Sequence, residues 1–225
     1  MTTEAKICGI KTREALTAAL DGHADYVGFV FFAPSPRHLD IAMARRLADE
    51  ARGKAKIVAL TVDADDTTLD EISNAIAPDF FQLHGHETPE RVAGVKTKFG
   101  RKIIKAIPVR TSEDAARAEA YTKVADLILF DAKAPAGATR PGGHGQVFDW
   151  TLLDAISRDM PFMLSGGLTP GNIQEAMQAT HAQAVDVSSG VETAPGVKDA
   201  ELIRRFLHAV KTAKQGCQDQ RDYAA

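Results

Sequence analysis

Eight short apolar runs, each rich in β-branched or aromatic residues, alternate along this chain with segments of helical periodicity. That alternation constrains the fold more than any single motif does. The runs are Ala5 to Cys8, Tyr26 to Phe31, Lys56 to Thr61, Phe80 to Leu83, Lys102 to Ile107, Leu127 to Phe130, Phe162 to Ser165 and Ala184 to Val187. They are nearly continuous in hydrophobicity rather than alternating with polar residues, the pattern of parallel strands covered on both faces. Between them apolar residues recur at helical spacing, as in Ala15, Leu16, Ala19 and Leu20, or Leu69, Ile72 and Ile76, and the pattern ends with Leu202, Ile203, Phe206 and Leu207. Asp40, Thr88 with Pro89, Ser112, and Thr169 with Pro170 are suited to open helices. Eight such units in 225 residues favour an α/β fold closed into a single-domain (β/α)8 TIM barrel over an open doubly wound sheet. We expect the barrel to occupy residues 1–211 and a polar, frayed tail to occupy 212–225.

Composition narrows the partners. A formal net charge of -3 gives no pull toward polyanions, so nucleic acid is not expected. No apolar run approaches the roughly 18 residues that span a bilayer, and Met1 to Ala5 lacks the features of a secretory signal, so no membrane partner and a cytoplasmic location are expected. The chain has two cysteines, Cys8 and Cys217, too few for a disulfide framework; Cys217 lies in the polar tail and reads as incidental.

In a barrel of this kind chemistry sits at the mouth formed by the C-terminal ends of the strands. Four polar strand exits stand out: Cys8, Asp131 after Phe130, Ser165-Gly166-Gly167, and Ser188-Ser189-Gly190 after Asp186-Val187. Taken singly, Cys8 reads as core filler and the glycine doublet as a tight turn; it is their convergence that favours one shared site. Gly166 and Gly167 let backbone approach an anion, while Ser188, Ser189 and Gly190 could open a short helix whose amides face the same point, an arrangement suited to phosphate. Arg37, on the proline-stiffened loop Pro34-Ser35-Pro36-Arg37, suits bidentate capture of a carboxylate, although a surface arginine is the ordinary alternative. Gln82 and His84 share a face of the fourth strand and point toward the mouth. Lys6 shares the inward parity of Cys8, and the eighth strand offers Asp186 as its counter-ion. The glycine-rich stretch from Ala132 to Asp149 reads as a mobile lid. No metal is expected, because His84-Gly85-His86 lacks further ligands at other strand ends, and His23, His38, His144, His181 and His208 fall on helices or loops.

These residues resemble a known family. Lys6-Ile7-Cys8-Gly9-Ile10, Gly28 to Phe31 with Ser35-Pro36-Arg37, Gln82-Leu83-His84-Gly85, Gly142-Gly143-His144-Gly145 with Phe148-Asp149-Trp150, Ser165-Gly166-Gly167-Leu168, and Asp186 to Glu192 are together similar to phosphoribosylanthranilate isomerases of tryptophan biosynthesis. The resemblance runs from about Lys6 to Val210, with two departures: the family more often has threonine at the place of His144 and alanine at that of Ser165.

The resemblance implies an Amadori rearrangement of a sugar phosphate, N-(5-phosphoribosyl)anthranilate, with no cofactor. Asp131 is then the general acid, a carboxyl held protonated by burial, and Cys8 the base, a thiol whose pKa nearby positive charge lowers. Arg37 holds the anthranilate carboxylate and Gly167 and Ser189 the phosphate. Two other readings remain: a dual-specificity isomerase also serving the histidine pathway, which the resemblance associates with an aspartate where Cys8 stands, and a catalytically silent sugar-phosphate-binding barrel. The oligomer is open between monomer and homodimer.

Overall fold

The computed structural model describes residues 3–132, 141–143, 145, 147–154, 156 and 160–213. Eight parallel strands close into a barrel in sequence order, with the first pairing the eighth. They are β1 (Glu4–Cys8), β2 (Tyr26–Phe31), β3 (Lys56–Thr61), β4 (Phe80–Leu83), β5 (Lys102–Val109), β6 (Leu127–Ala132), β7 (Phe162–Leu164) and β8 (Ala184–Val187). The helices are α1 (Arg13–Asp21), α2 (Ile41–Ala51), α3 (Asp66–Ile76), α4 (Pro89–Phe99), the short α5 (Ser112–Ala116), α6 (Ile173–Thr180) and α7 (Ala200–Thr212). After β8 the chain makes a hairpin, β9 (Glu192–Ala194) with β10 (Val197–Lys198), before entering α7.

Three differences from the sequence expectation have physical causes. Between β6 and β7 the described residues hold a 3-10 turn, Trp150–Leu153, in place of an α-helix, held at its start by Asp149, whose side chain accepts from Thr151 N. Thr111, not Ser112, caps α5, accepting from Asp114 N. Thr169 closes a turn through Gly171 N and Asn172 N, and α6 begins only at Ile173, after the proline and glycine. The expected caps Asp40 and Thr88 do accept from the backbone amide three residues on. Most of the expected lid falls outside the described residues, as do His144 and the tail with Cys217.

Strand parity divides the core into two layers. Outward residues such as Ile7, Phe29, Phe81, Ile103 and Phe130 pack against the helices. Inward residues Tyr26, Val58, Phe80, Ile104, Leu129, Met163 and Ala184 fill the barrel, and above them Cys8, Val30 and Leu60 form a smaller cluster. Higher still, at the C-terminal ends, polar residues line the mouth together with Phe32 and Val62, which pack on that cluster.

At the opposite face one hydrogen bond recurs around the barrel. Asp25, just before β2, accepts from Ala5 N on β1; Asp79, before β4, accepts from Ile57 N on β3; Asp126, before β6, accepts from Ile103 N on β5. Gln183, before β8, does the same for Phe162 N on β7. Each side chain satisfies a backbone amide at the start of the preceding strand, the second residue of β1, β3 and β5 and the first of β7. This repeat, every second strand around the barrel, fixes alternate strand pairs and lies at the face opposite the mouth. We therefore expect Asp79→Ala to lower unfolding free energy in urea by about 1 kcal/mol while leaving the chemistry at the mouth intact; unchanged stability would contradict the role.

Candidate active site

Period-two alternation brings Cys8, Gln82, His84, Asp131, Ser165, Asp186 and Ser188 inward at strand ends, and together with Arg37, Gly166, Gly167 and Ser189 they line one cavity at the mouth. Of the residues expected from sequence only Gly190 is absent from its wall. A Cβ at Gly190 would stand 1.8 Å from the Leu168 carbonyl oxygen, so glycine there lets the loop after β8 pass directly beneath the loop after β7. Gly166 and Gly167 take left-handed backbone, with φ of 91° and 63°. The expected short helix is a 3-10 turn of three residues, Ser189–Val191.

Asp131 lies across the cavity and is 5% exposed. Its Oδ1 accepts from Ala132 N at 2.9 Å, and its Oδ2 is 3.3 Å from His84 Nε2. His84 Nδ1 is in turn 3.1 Å from Gln82 Nε2. With the Gln82 amide donating, Nδ1 accepts and the ring proton sits on Nε2, facing the carboxylate. The sequence pair Gln82 and His84 thus makes a directed chain ending on Asp131.

Cys8 is 3% exposed, and beneath it Lys6 is fully buried. The Lys6 ammonium donates to Asp186 Oδ1 at 2.9 Å, as strand parity suggested, and β1–β8 pairing puts the two residues in direct register. Ser165 Oγ donates to Asp186 Oδ2 at 3.4 Å, so this departure from the usual family residue enters the network. Burial pushes the Cys8 thiol up from its ordinary value, and Asp186 adds to the rise; Lys6 and Lys198 pull it down without cancelling the burial. This corrects the expectation of a lowered thiol. Sequence showed the cation and its counter-ion but not how deeply the sulfur is buried, nor that Asp186 also raises the thiol.

Arg37 requires a second correction. Its Nε and Nη2 both donate at 2.8 Å to the two oxygens of Glu192, and Nη2 also donates to Gly143 O at 3.3 Å. The bidentate partner is therefore a carboxylate of the chain itself, and Nη1 lies against Gly143. Glu192 also accepts from Lys198 Nζ at 2.7 Å; Lys198 continues to Ser188 O at 2.8 Å, and Ser188 Oγ donates to Cys8 O at 3.2 Å. Burial raises the Glu192 carboxyl, but Arg37 and Lys198 outweigh it and hold the group below its ordinary value. Burial lowers the Lys198 ammonium despite Glu192.

Sequence reasoning gave no role to Glu192 or Lys198. Both belong to a polar stretch with no strand or helix periodicity to orient them. It also missed the buried Lys105, which donates to Gly85 O and Glu87 Oε2, each at 2.7 Å, and so ties down the loop carrying His84. A lone lysine inside the apolar run Lys102 to Ile107 was the available signal. Among the described residues no group of three His, Cys, Asp or Glu side chains could hold a metal ion, and no helix is long and apolar enough to cross a membrane.

The sequence matches the family model for N-(5'phosphoribosyl)anthranilate (PRA) isomerase over residues 5–209. The chain belongs to that family. It is 55% identical over 214 residues to the N-(5'-phosphoribosyl)anthranilate isomerase of Bradyrhizobium diazoefficiens, covering 95% of this chain and 96% of that one. Its fold is similar to the crystal structure of phosphoribosyl anthranilate isomerase from Thermotoga maritima, with a TM-score of 0.85 and 34% identity over 94% of this chain and all of the other. A further isomerase structure, in complex with reduced 1-(o-carboxyphenylamino)-1-deoxyribulose 5-phosphate, matches with a TM-score of 0.80 and 31% identity, covering 94% of this chain and 100% of its own.

The raised Cys8 thiol gives a measurable sign for this family member. In the ligand-free protein the rate of Cys8 alkylation should rise with pH through a midpoint above that of an unstructured thiol, about 8.5. A midpoint below that of a free thiol would show that the cations, not burial, dominate.

Proposed function

We propose that the chain catalyses the Amadori rearrangement of N-(5'-phosphoribosyl)anthranilate to 1-(2-carboxyphenylamino)-1-deoxyribulose 5-phosphate, a step of tryptophan biosynthesis, with Asp131 as acid and Cys8 as base. The observation that supports this best is that a thiol and a carboxyl both line one cavity of a chain matched to the family over residues 5–209. The phosphate is held by the Gly166-Gly167 turn and the Ser188-Ser189 turn, and the anthranilate carboxylate by Arg37. The sugar carbons then span acid and base.

In the first step the anthranilate nitrogen lone pair forms a C1=N iminium as the bond from C1 to the ring oxygen breaks. That oxygen takes a proton from Asp131, whose carboxyl His84 holds in place. In the second step the Cys8 thiolate removes the C2 proton. The C2–H electrons form C1=C2, and the iminium electrons return to nitrogen, giving an enol. Ketonisation adds a proton at C1 and releases the one on the C2 hydroxyl, so acid and base regain their starting states. No electron is gained or lost overall, and no cofactor is needed for the balance.

The Arg37–Glu192 pair makes chemical sense within this reading. A guanidinium anchored on two nitrogens keeps a fixed orientation in the cavity wall, an ordered donor in place of a mobile one.

Turnover of the fluorescent substrate separates the roles. Cys8→Ala and Asp131→Asn should each lower kcat by about a hundredfold or more while the reduced product analogue still binds; near-normal kcat in either variant contradicts its assignment. Arg37→Ala should raise KM more than it lowers kcat, since a carboxylate clamp acts in ground and transition states alike. An unchanged KM with depressed kcat would count against the clamp.

A further inference from the structure

At the floor of the mouth Lys6 is fully buried and Asp186 nearly so, and neither makes a contact the two proposed chemical steps require. A buried ion pair is seldom retained for stability, because desolvation offsets most of its attraction. Its position supplies another reason. Cys8 and Lys6 are successive inward residues of β1, and both abut Gly28 on β2: a Cβ there would stand 3.1 Å from Cys8 Sγ and 3.2 Å from Lys6 Cε. Glycine at 28 leaves room for the sulfur and the ammonium stem to pack against the same point of β2.

We propose that Lys6 is a positioning residue that stabilises the thiolate of Cys8, and that Asp186, sharing the same ammonium, sets how much of its charge the sulfur receives. The proposal rests on the reading of Cys8 as base and names what makes that thiol ionise in a dry site.

The groups facing Cys8 come from several elements. Lys6 lies below it on β1, Asp186 on β8, and Lys198 on β10, the last neutralised by Glu192, which Arg37 also holds; Asp131 and His84 stand across the cavity. Val30 and Leu60 complete the sulfur's surroundings and offer no charge. Lys6 and Lys198 both favour the thiolate, Lys6 the more strongly, while Asp186 opposes them. Lys6 is thus the principal cation for the thiolate. Ser165, donating to the far oxygen of Asp186, draws some of the carboxylate's charge away from the ammonium.

Opposite substitutions should therefore move Cys8 in opposite directions, which a purely structural pair would not do. Lys6→Met removes the cation and leaves Asp186 near the sulfur, so the midpoint for Cys8 alkylation should rise, slowing modification at a fixed alkaline pH about tenfold or more. Asp186→Asn keeps shape and hydrogen-bonding capacity but removes the opposing anion, so the first proton of the Lys6 and Cys8 pair should leave at lower pH and modification should quicken. The experiment follows carboxamidomethylation of the Cys8-containing peptide against pH by mass spectrometry, on the full chain and both variants, beside the rising limb of kcat/KM. Midpoints displaced in opposite senses, with the limb following them, are the expected result. Midpoints moving in the same sense, or an Asp186→Asn midpoint that stays or rises, would overturn the proposal. Asp186→Asn decides the matter alone where Lys6→Met fails to fold. Alkylation midpoints that part while the kinetic limb stays fixed would instead contradict Cys8 as the base, since alkylation involves no substrate.

Discussion

The ion pair between Lys6 and Asp186 sits where the barrel closes, at a register position shared by the first and last strands, and directly under the sulfur at the mouth. Its burial makes it sensitive to any slip of that closure: a one-residue shift would turn one partner outward and strand a charge in the interior, at a cost of several kcal/mol. The same contact therefore pins the register of the fold and brings a cation to the site. Stability and chemistry meet at this seam, whereas on the opposite face the repeated Asp25, Asp79, Asp126 and Gln183 bonds serve the strands alone.

Above the seam, the site has two poles joined by polar side chains. On one side Gln82, His84 and Asp131 form a line of hydrogen bonds anchored by the Lys105–Glu87 pair beneath the same loop. On the other, Arg37, Glu192, Lys198 and Ser188 run in a chain of contacts to the backbone of Cys8. Buried networks of this kind hold their members still only when each group is answered. That is why the arginine spends two nitrogens on Glu192 rather than waiting unpaired for a ligand.

Much of this was legible in the sequence because strand parity and apolar runs are local signals. β2, β3, β4 and β8 have the expected bounds, and the inward set Lys6, Cys8, Gln82, His84, Asp131 and Asp186 followed from a period of two. What escaped depends on contacts across the chain. The Cys8 thiol was expected to fall because Lys6 was visible, but desolvation is a property of the assembled interior and reversed the sign. The Nε and Nη2 of Arg37 were read as open to a ligand because its loop was read alone, while Glu192, which takes them both, lies 155 residues away. The segment after β6 carried helical expectation from the repeating architecture, yet the described residues there make only a 3-10 turn.

The central claim is that one anchored substrate lies between a thiol and a carboxyl on opposite walls. A crystal structure of this chain with reduced 1-(2-carboxyphenylamino)-1-deoxyribulose 5-phosphate tests it most directly. The account predicts phosphate on the Gly167 and Ser189 turns, carboxylate on Arg37, C2 against Cys8 Sγ, and the hydroxyl derived from the ring oxygen on Asp131. An analogue bound in the reverse sense, or with C2 facing Asp131 and the sulfur touching neither C1 nor C2, would contradict it.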